Sequence, residues 1–182
     1  MPLPLLAHLR LLLTPCLADY GNAENATQTP PTKAGPGYAT SMEAVYFGSA
    51  YAPKGPGSGA GPWVGADLEA GIYEGSSNKA TQPSLKLVDF RVGMVKGRPG
   101  NHYEISSGDA QVGGSLKTLY SGRRPTGYEL MRKQGAIILG IGGDNSPWAA
   151  GTWYEGAMTR GFSSNATDAA VMANIVAAGY GK

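Results

Sequence analysis

Short apolar stretches closed off by glycine recur from residue 42 to residue 159, and only the last part of the chain carries a helical period. This pattern limits the fold more than any other feature. In Met42-Glu43-Ala44-Val45-Tyr46-Phe47, alternation puts Ala44, Tyr46 and Gly48 on one face and Glu43, Val45 and Phe47 on the other. Residues 85–96 alternate likewise, with Val88, Phe90, Val92 and Met94 on one side. Residues 102–106, 115–121 and 152–159 read as further strands, and the uniformly apolar residues 136–141 as a strand buried on both faces. Residues 25–41 and 52–61 are rich in glycine, proline and small polar residues and read as loops. Near the end, Thr167 can cap a helix with Asp168 in its first turn. Val171, Ile175 and Ala178 follow at helical spacing, and Gly179 is a natural stop. Many short strands and one terminal helix predict an all-β, antiparallel β-sandwich with a short C-terminal helix.

Composition removes several function classes. The 182 residues carry a net charge of +2, and no Lys/Arg block is longer than Arg123-Arg124, so the chain lacks the concentrated basic face that nucleic acid requires. His8, His102 and Cys16 are the only histidines and the only cysteine, too few for a His/Cys zinc site. No GxxxxGK[ST] phosphate loop is present. The leucine-rich residues 3–13 are too short to span a bilayer and look like a signal-peptide core, except that Arg10 lies inside the run. Asn25-Ala26-Thr27 and Asn165-Ala166-Thr167 are N-glycosylation sequons that matter if the chain is secreted.

Three acids stand out by placement. Residues 136–140 lead into Ile141-Gly142-Gly143-Asp144-Asn145-Ser146, which delivers Asp144 to a strand end among glycines that let a ligand approach the backbone. Upstream, Trp63-Val64-Gly65-Ala66-Asp67-Leu68-Glu69 places Asp67 and Glu69 on one face of a strand, roughly 7 Å apart from strand rise, with Leu68 turned to the core. A carboxylate in an apolar or glycine-rich segment is costly unless bonded or used, and two such acids beside aromatics point to glycoside hydrolysis, which usually needs a carboxyl pair. Glu155, in Trp153-Tyr154-Glu155-Gly156, competes with Asp144 on the same grounds, and a hydrogen-bonded structural acid is the plainer reading of all four.

The ordered blocks Asp19-Tyr20-Gly21-Asn22-Ala23-Glu24, Met42 to Gly48, Gly61-Pro62-Trp63 with Ala66-Asp67-Leu68-Glu69, Met94-Val95-Lys96-Gly97, Tyr120-Ser121-Gly122, Gly135 to Ser146, Tyr154-Glu155-Gly156 and Ala173-Asn174-Ile175-Val176-Ala177-Ala178 together resemble the catalytic domain of the fungal α-L-arabinofuranosidase B family, glycoside hydrolase family 54. The resemblance implies a concanavalin-like jelly-roll sandwich and a secreted, retaining hydrolase. It would release terminal α-L-arabinofuranosyl groups from arabinoxylan and arabinan side chains, plant cell-wall polysaccharides, without metal or organic cofactor. By the same resemblance Glu69 matches the nucleophile, Asp144 the general acid/base, Asp67 a residue bonding arabinose hydroxyls and Gly143 a backbone contact to the sugar.

The chain also departs from the family pattern. The family's adjacent cysteines, joined as a vicinal disulfide, fall at Thr14-Pro15-Cys16-Leu17-Ala18, where that bridge cannot form. The asparagines after the nucleophile are Ala70 and Gly71 here, and a loop tryptophan is Lys54. These departures leave a non-catalytic sugar-binding remnant, or an inactive fragment of such an enzyme, as the alternative function. The resemblance divides the chain into a leucine-rich segment, 1–18, and a partial catalytic domain, 19–182. The resemblance also implies that the family's earlier β-rich portion and its C-terminal arabinose-binding trefoil are not represented in these 182 residues.

Overall fold

The computed structural model describes residues 5–10, 44–48, 63–68, 72, 73, 75, 90–111, 113–126, 128, 152–159 and 161–180. Among them the chain order is β1 (Leu5–Arg10), β2 (Ala44–Gly48), β3 (Trp63–Asp67), β4 (Ile72–Tyr73), β5 (Phe90–Arg98), β6 (His102–Asp109), β7 (Lys117–Arg123), β8 (Thr152–Met158) and α1 (Asn165–Ala178). The strands form a five-stranded sheet, β7-β6-β5-β1-β8, and a three-stranded sheet, β2-β3-β4. Every pairing is antiparallel. The β-sandwich with a C-terminal helix expected from the alternation is therefore the observed architecture. The strand expected at residues 136–141 lies outside the described residues.

The period of two in β5 explains the layering. Val95, with Tyr103 and Ile105 of β6, meets Val45 and Phe47 of β2 and Val64, Ala66 and Leu68 at β3 in one apolar cluster between the sheets. Phe90 and Val92 point the other way, onto Met172 and Ile175 of α1. The large sheet is thus covered on both faces at β5, and each fully buried large apolar side chain contributes about 1.5–3 kcal/mol. Gly93 lets the sheets close, since a Cβ there would strike the Phe47 ring and press on Val45. The β5–β6 hairpin turns through Gly100 (φ 76°) and Asn101 (φ 57°), both left-handed, and the Asn101 amide donates to the Tyr128 carbonyl at 2.7 Å. Asparagine is one of the few non-glycine residues that enter this region readily.

A register shift opposite Ile105/Ser106 puts a bulge in β7, so that Leu119 and Tyr120 both pack against the inter-sheet cluster. The Tyr120 ring meets Tyr103 edge-on at 5.6 Å. The Tyr103 hydroxyl donates to the Gly75 carbonyl at 2.5 Å, which ties β6 to the residue just beyond β4.

Two details of α1 differ from expectation. Ser164, in extended conformation, is the N-cap and accepts from the Thr167 N–H at 3.1 Å, so Thr167 is capped and does not cap. The inward row is Asp168, Met172 and Ile175, with Ala178 exposed and Val171 half-buried. Starting the helix at Asn165 turns the row that begins at Asp168 toward the sheet. Gly179 (φ 70°) ends the helix as expected, its N–H donating to the Val176 carbonyl. The leucine-rich stretch supplies β1, which pairs with β5 from Leu5↔Val95 to Arg10↔Phe90 and with β8 on its other edge. Among the described residues no helix is long and apolar enough to cross a membrane.

Candidate functional site

β3 divides its side chains between two environments. Val64, Ala66 and Leu68 enter the inter-sheet cluster. Alternation turns Trp63, Gly65 and Asp67 to the other face of the small sheet, with Ala44 and Tyr46 of β2 beside them in the register Ala44↔Asp67 and Tyr46↔Gly65. This second face is also covered. Trp63, Tyr46 and Ala44 are fully buried, and Asp67 is 4% exposed. A carboxylate is therefore held at a strand end out of bulk water, next to small residues (Ala44 opposite, Gly65 one pleat back). Leu68 points to the core, as its place between two acids predicted.

Asp67 is the sequence-predicted site residue that the structure describes. Glu69, Gly143 and Asp144 lie outside the described residues. Glu155, the competitor of Asp144, is half-buried in β8 at an irregularity where Trp153 and Gly156 of β8 oppose Leu9 and Ala7 of β1. The extra residue in that interval marks a bulge, which re-aims side chains. Tyr154 packs edge-on against Phe90 at 5.0 Å, and Tyr180 stacks on Phe90 at 5.9 Å. The negative charge of Glu155 beside Tyr180, aided by burial and by a hydrogen bond between them, raises the Tyr180 phenol above its usual range. Glu155 thus has a structural partner in this fold.

A buried ionic cluster was not anticipated from the sequence. The Lys96 ammonium, on a fully buried side chain, lies 2.6 Å from Asp168 Oδ2 of α1 and 3.2 Å from Glu104 Oε1 of β6. The Ser163 hydroxyl donates to Asp168 Oδ1 at 2.5 Å and the Ser106 hydroxyl to Glu104 Oε1 at 3.2 Å. Phe162 covers the ammonium, its ring centroid 4.4 Å from Lys96 Nζ. The signal was present, because Lys96 falls in the same period-two row as Phe90, Val92 and Met94. A lysine on a buried face needs a buried counter-ion. Beside the cluster lies a cavity of about 120 Å³, bordered by Glu104, Ser106, Thr118, Asn165 and Asp168. The cluster fastens the first turn of α1 to the large sheet. Among the described residues, no group of three or more His, Cys, Asp and Glu could hold a metal ion.

The family described as α-L-arabinofuranosidase B, catalytic, matches residues 10–181. The chain belongs to that family. It is 52% identical over 170 residues to an α-L-arabinofuranosidase of Hypocrea jecorina, covering 91% of this chain and 32% of the relative. A probable α-L-arabinofuranosidase B of Aspergillus terreus is also 52% identical, over 169 residues, with 91% of this chain and 31% of the relative covered. Among solved structures, the fold matches a glutamate-to-glutamine mutant of a GH54 α-L-arabinofuranosidase soaked with 4-nitrophenyl α-L-arabinofuranoside. The TM-score is 0.75 and the identity 42%, over 97% of this chain and 36% of that one. The chain thus spans about a third of the length of the family members it matches.

Proposed function

We propose that this chain carries the catalytic carboxylates of an α-L-arabinofuranosidase and acts on terminal α-L-arabinofuranosyl groups by a retaining double displacement. The observation that carries the reading is the family match across residues 10–181. The burial of Asp67 at the end of β3, two residues before Glu69, is consistent with it.

In this reading Glu69, ionised, attacks the anomeric carbon while Asp144, protonated, gives its proton to the leaving oxygen. The glycosyl–enzyme ester is then hydrolysed by water that Asp144, now a carboxylate, deprotonates. Repulsion from ionised Glu69 favours the protonated form of Asp144 before the first step, and esterification of Glu69 removes that repulsion before the second. Asp67 accepts hydrogen bonds from sugar hydroxyls and fixes the ring relative to Glu69, and the Gly143 backbone adds a further contact. Loss of Glu69 prevents the glycosyl–enzyme from forming, and loss of Asp144 removes the acid of the first step and the base of the second.

The substrates in this reading are arabinose-bearing plant cell-wall polysaccharides such as arabinoxylan and arabinan. A solved structure similar to this chain, at TM-score 0.74 and 41% identity, holds arabinofuranosyl-α-1,2-xylobiose, which supports an arabinose-substituted xylan chain as the ligand class. Such polymers are too large to enter a cell, so the chain is assigned to the secreted compartment. A second reading, a sugar-binding unit without hydrolysis, is favoured by Ala70, Gly71 and Lys54, which stand where the family has asparagines and a tryptophan.

The test is hydrolysis of 4-nitrophenyl α-L-arabinofuranoside by the purified 182-residue chain beside Glu69→Gln and Asp144→Asn. Turnover in the wild type that disappears in Glu69→Gln supports the first reading. A folded wild type that binds arabinose oligosaccharides without releasing nitrophenol supports the second.

A further inference from the structure

We infer that Asn165 is an N-glycosylation site, carrying a β-N-acetylglucosamine-linked glycan at the first turn of α1. Asn165-Ala166-Thr167 satisfies the N-x-[ST] rule, and all three residues are exposed. Asn165 is the first residue of the helix. Capping is performed by the Ser164 hydroxyl, which accepts from the Thr167 N–H, so the Asn165 side chain is not needed to close the helix end. Side chains in a helix lean toward its N-terminus, which carries the Asn165 amide away from the body of α1.

The chemistry balances within the secretory pathway. Asn165 Nδ2 forms a bond to C1 of an oligosaccharide held on a lipid pyrophosphate. The C1–oxygen bond to the pyrophosphate breaks, the lipid pyrophosphate leaves with the electron pair, and the amide loses one proton. In the folded chain the Thr167 hydroxyl is 3.0 Å from the Ser164 hydroxyl. The finished helix accommodates the product because Asn165 is exposed.

The inference rests on the secreted assignment made above, and the experiment separates the two. The full chain is produced in yeast both with its own N-terminus and behind an appended secretory leader, then treated with peptide N-glycosidase in heavy-oxygen water and read by peptide mass spectrometry. The leader-bearing wild type, taken from medium or from the membrane fraction, is expected to show heavy-oxygen aspartate at position 165. Asn165→Gln and Thr167→Ala should remove that mark, whereas Asn25→Gln should leave it. An unmodified Asn165 in the leader-bearing wild type overturns the inference, whether or not Asn25 is modified. A mark at 165 that appears only behind the appended leader upholds the site and counts against secretion. Nitrophenyl arabinofuranoside hydrolysis, measured on the same samples, tests the proposed activity separately.

Discussion

Replacing Lys96 with methionine removes the ammonium that Glu104 and Asp168 share at 3.2 and 2.6 Å. Methionine keeps most of the apolar stem, so the change acts mainly through charge. The two carboxylates are 6% and 7% exposed, and the hydroxyls of Ser106 and Ser163 remain to bond them, but neither hydroxyl supplies positive charge. Breaking a buried ion pair by removing one partner costs about 3–5 kcal/mol, because the other charge stays buried and uncompensated. For a chain of this size roughly 2–4 °C of melting temperature corresponds to 1 kcal/mol, so the midpoint should fall by about 6–20 °C at neutral pH. The assay is denaturant unfolding at pH 7 of four chains: wild type, Lys96→Met, Glu104→Gln/Asp168→Asn, and the triple variant. In the background without the two carboxylates, Lys96→Met should cost about 1 kcal/mol or less, since no buried anion is then orphaned. A single-variant loss under about 0.5 kcal/mol, or an equal loss in both backgrounds, would refute the reasoning that this ammonium holds α1 to the sheet by charge.

Three further outcomes follow from the same structure. Ser164→Ala removes the cap that serves the Thr167 N–H and should cost about 1 kcal/mol in thermal unfolding, whereas Thr167→Val, which keeps that N–H, should cost less. Gly93→Val puts a branched side chain where even a Cβ meets the Phe47 ring, and should destabilise by about 1–3 kcal/mol from overpacking. The raised Tyr180 phenol stabilises the fold below its unfolded pKa, about 10, and that contribution is lost as pH rises through the folded value. Wild type should therefore lose stability more steeply than Glu155→Gln above pH about 10, and ring-carbon NMR of Tyr180 in the variant should show ionisation at lower pH than in wild type.

How much of this was readable in the residues follows from the range of the forces involved. Alternation is local, so β2, β3 and β5–β8 appear where period-two runs predicted them, and Leu68 turns inward between its two acidic neighbours. The helix stop at Gly179 is local as well. Its start was misplaced by three residues because Ser164 and Thr167 are both competent caps, and backbone conformation decides between them. β1 was obscured because a leucine-rich run looks alike whether it is a leader or a strand paired on both edges, as Leu5–Arg10 is. The Lys96–Asp168 pair joins residues 72 apart in sequence, and only the tertiary fold brings them together. Of the candidate site, the Asp67 placement was legible, because a polar residue on a strand otherwise fully buried must be held by specific bonds. The bulge that gives Glu155 its tyrosine partner depends on pairing with β1, which no local pattern announces.

The roles assigned to Glu69 and Asp144 are tested most directly by azide rescue. Glu69→Ala and Asp144→Ala are each incubated with 4-nitrophenyl α-L-arabinofuranoside and sodium azide, and the anomer of the arabinofuranosyl azide is read by NMR. A missing nucleophile lets azide displace nitrophenol in one inversion, so Glu69→Ala should yield the β-azide. A missing acid/base leaves the glycosyl–enzyme to be intercepted, so Asp144→Ala should yield the α-azide after two inversions. The same anomer from both variants, or azide products from neither while the wild type turns over, would contradict the assignment of nucleophile and acid/base.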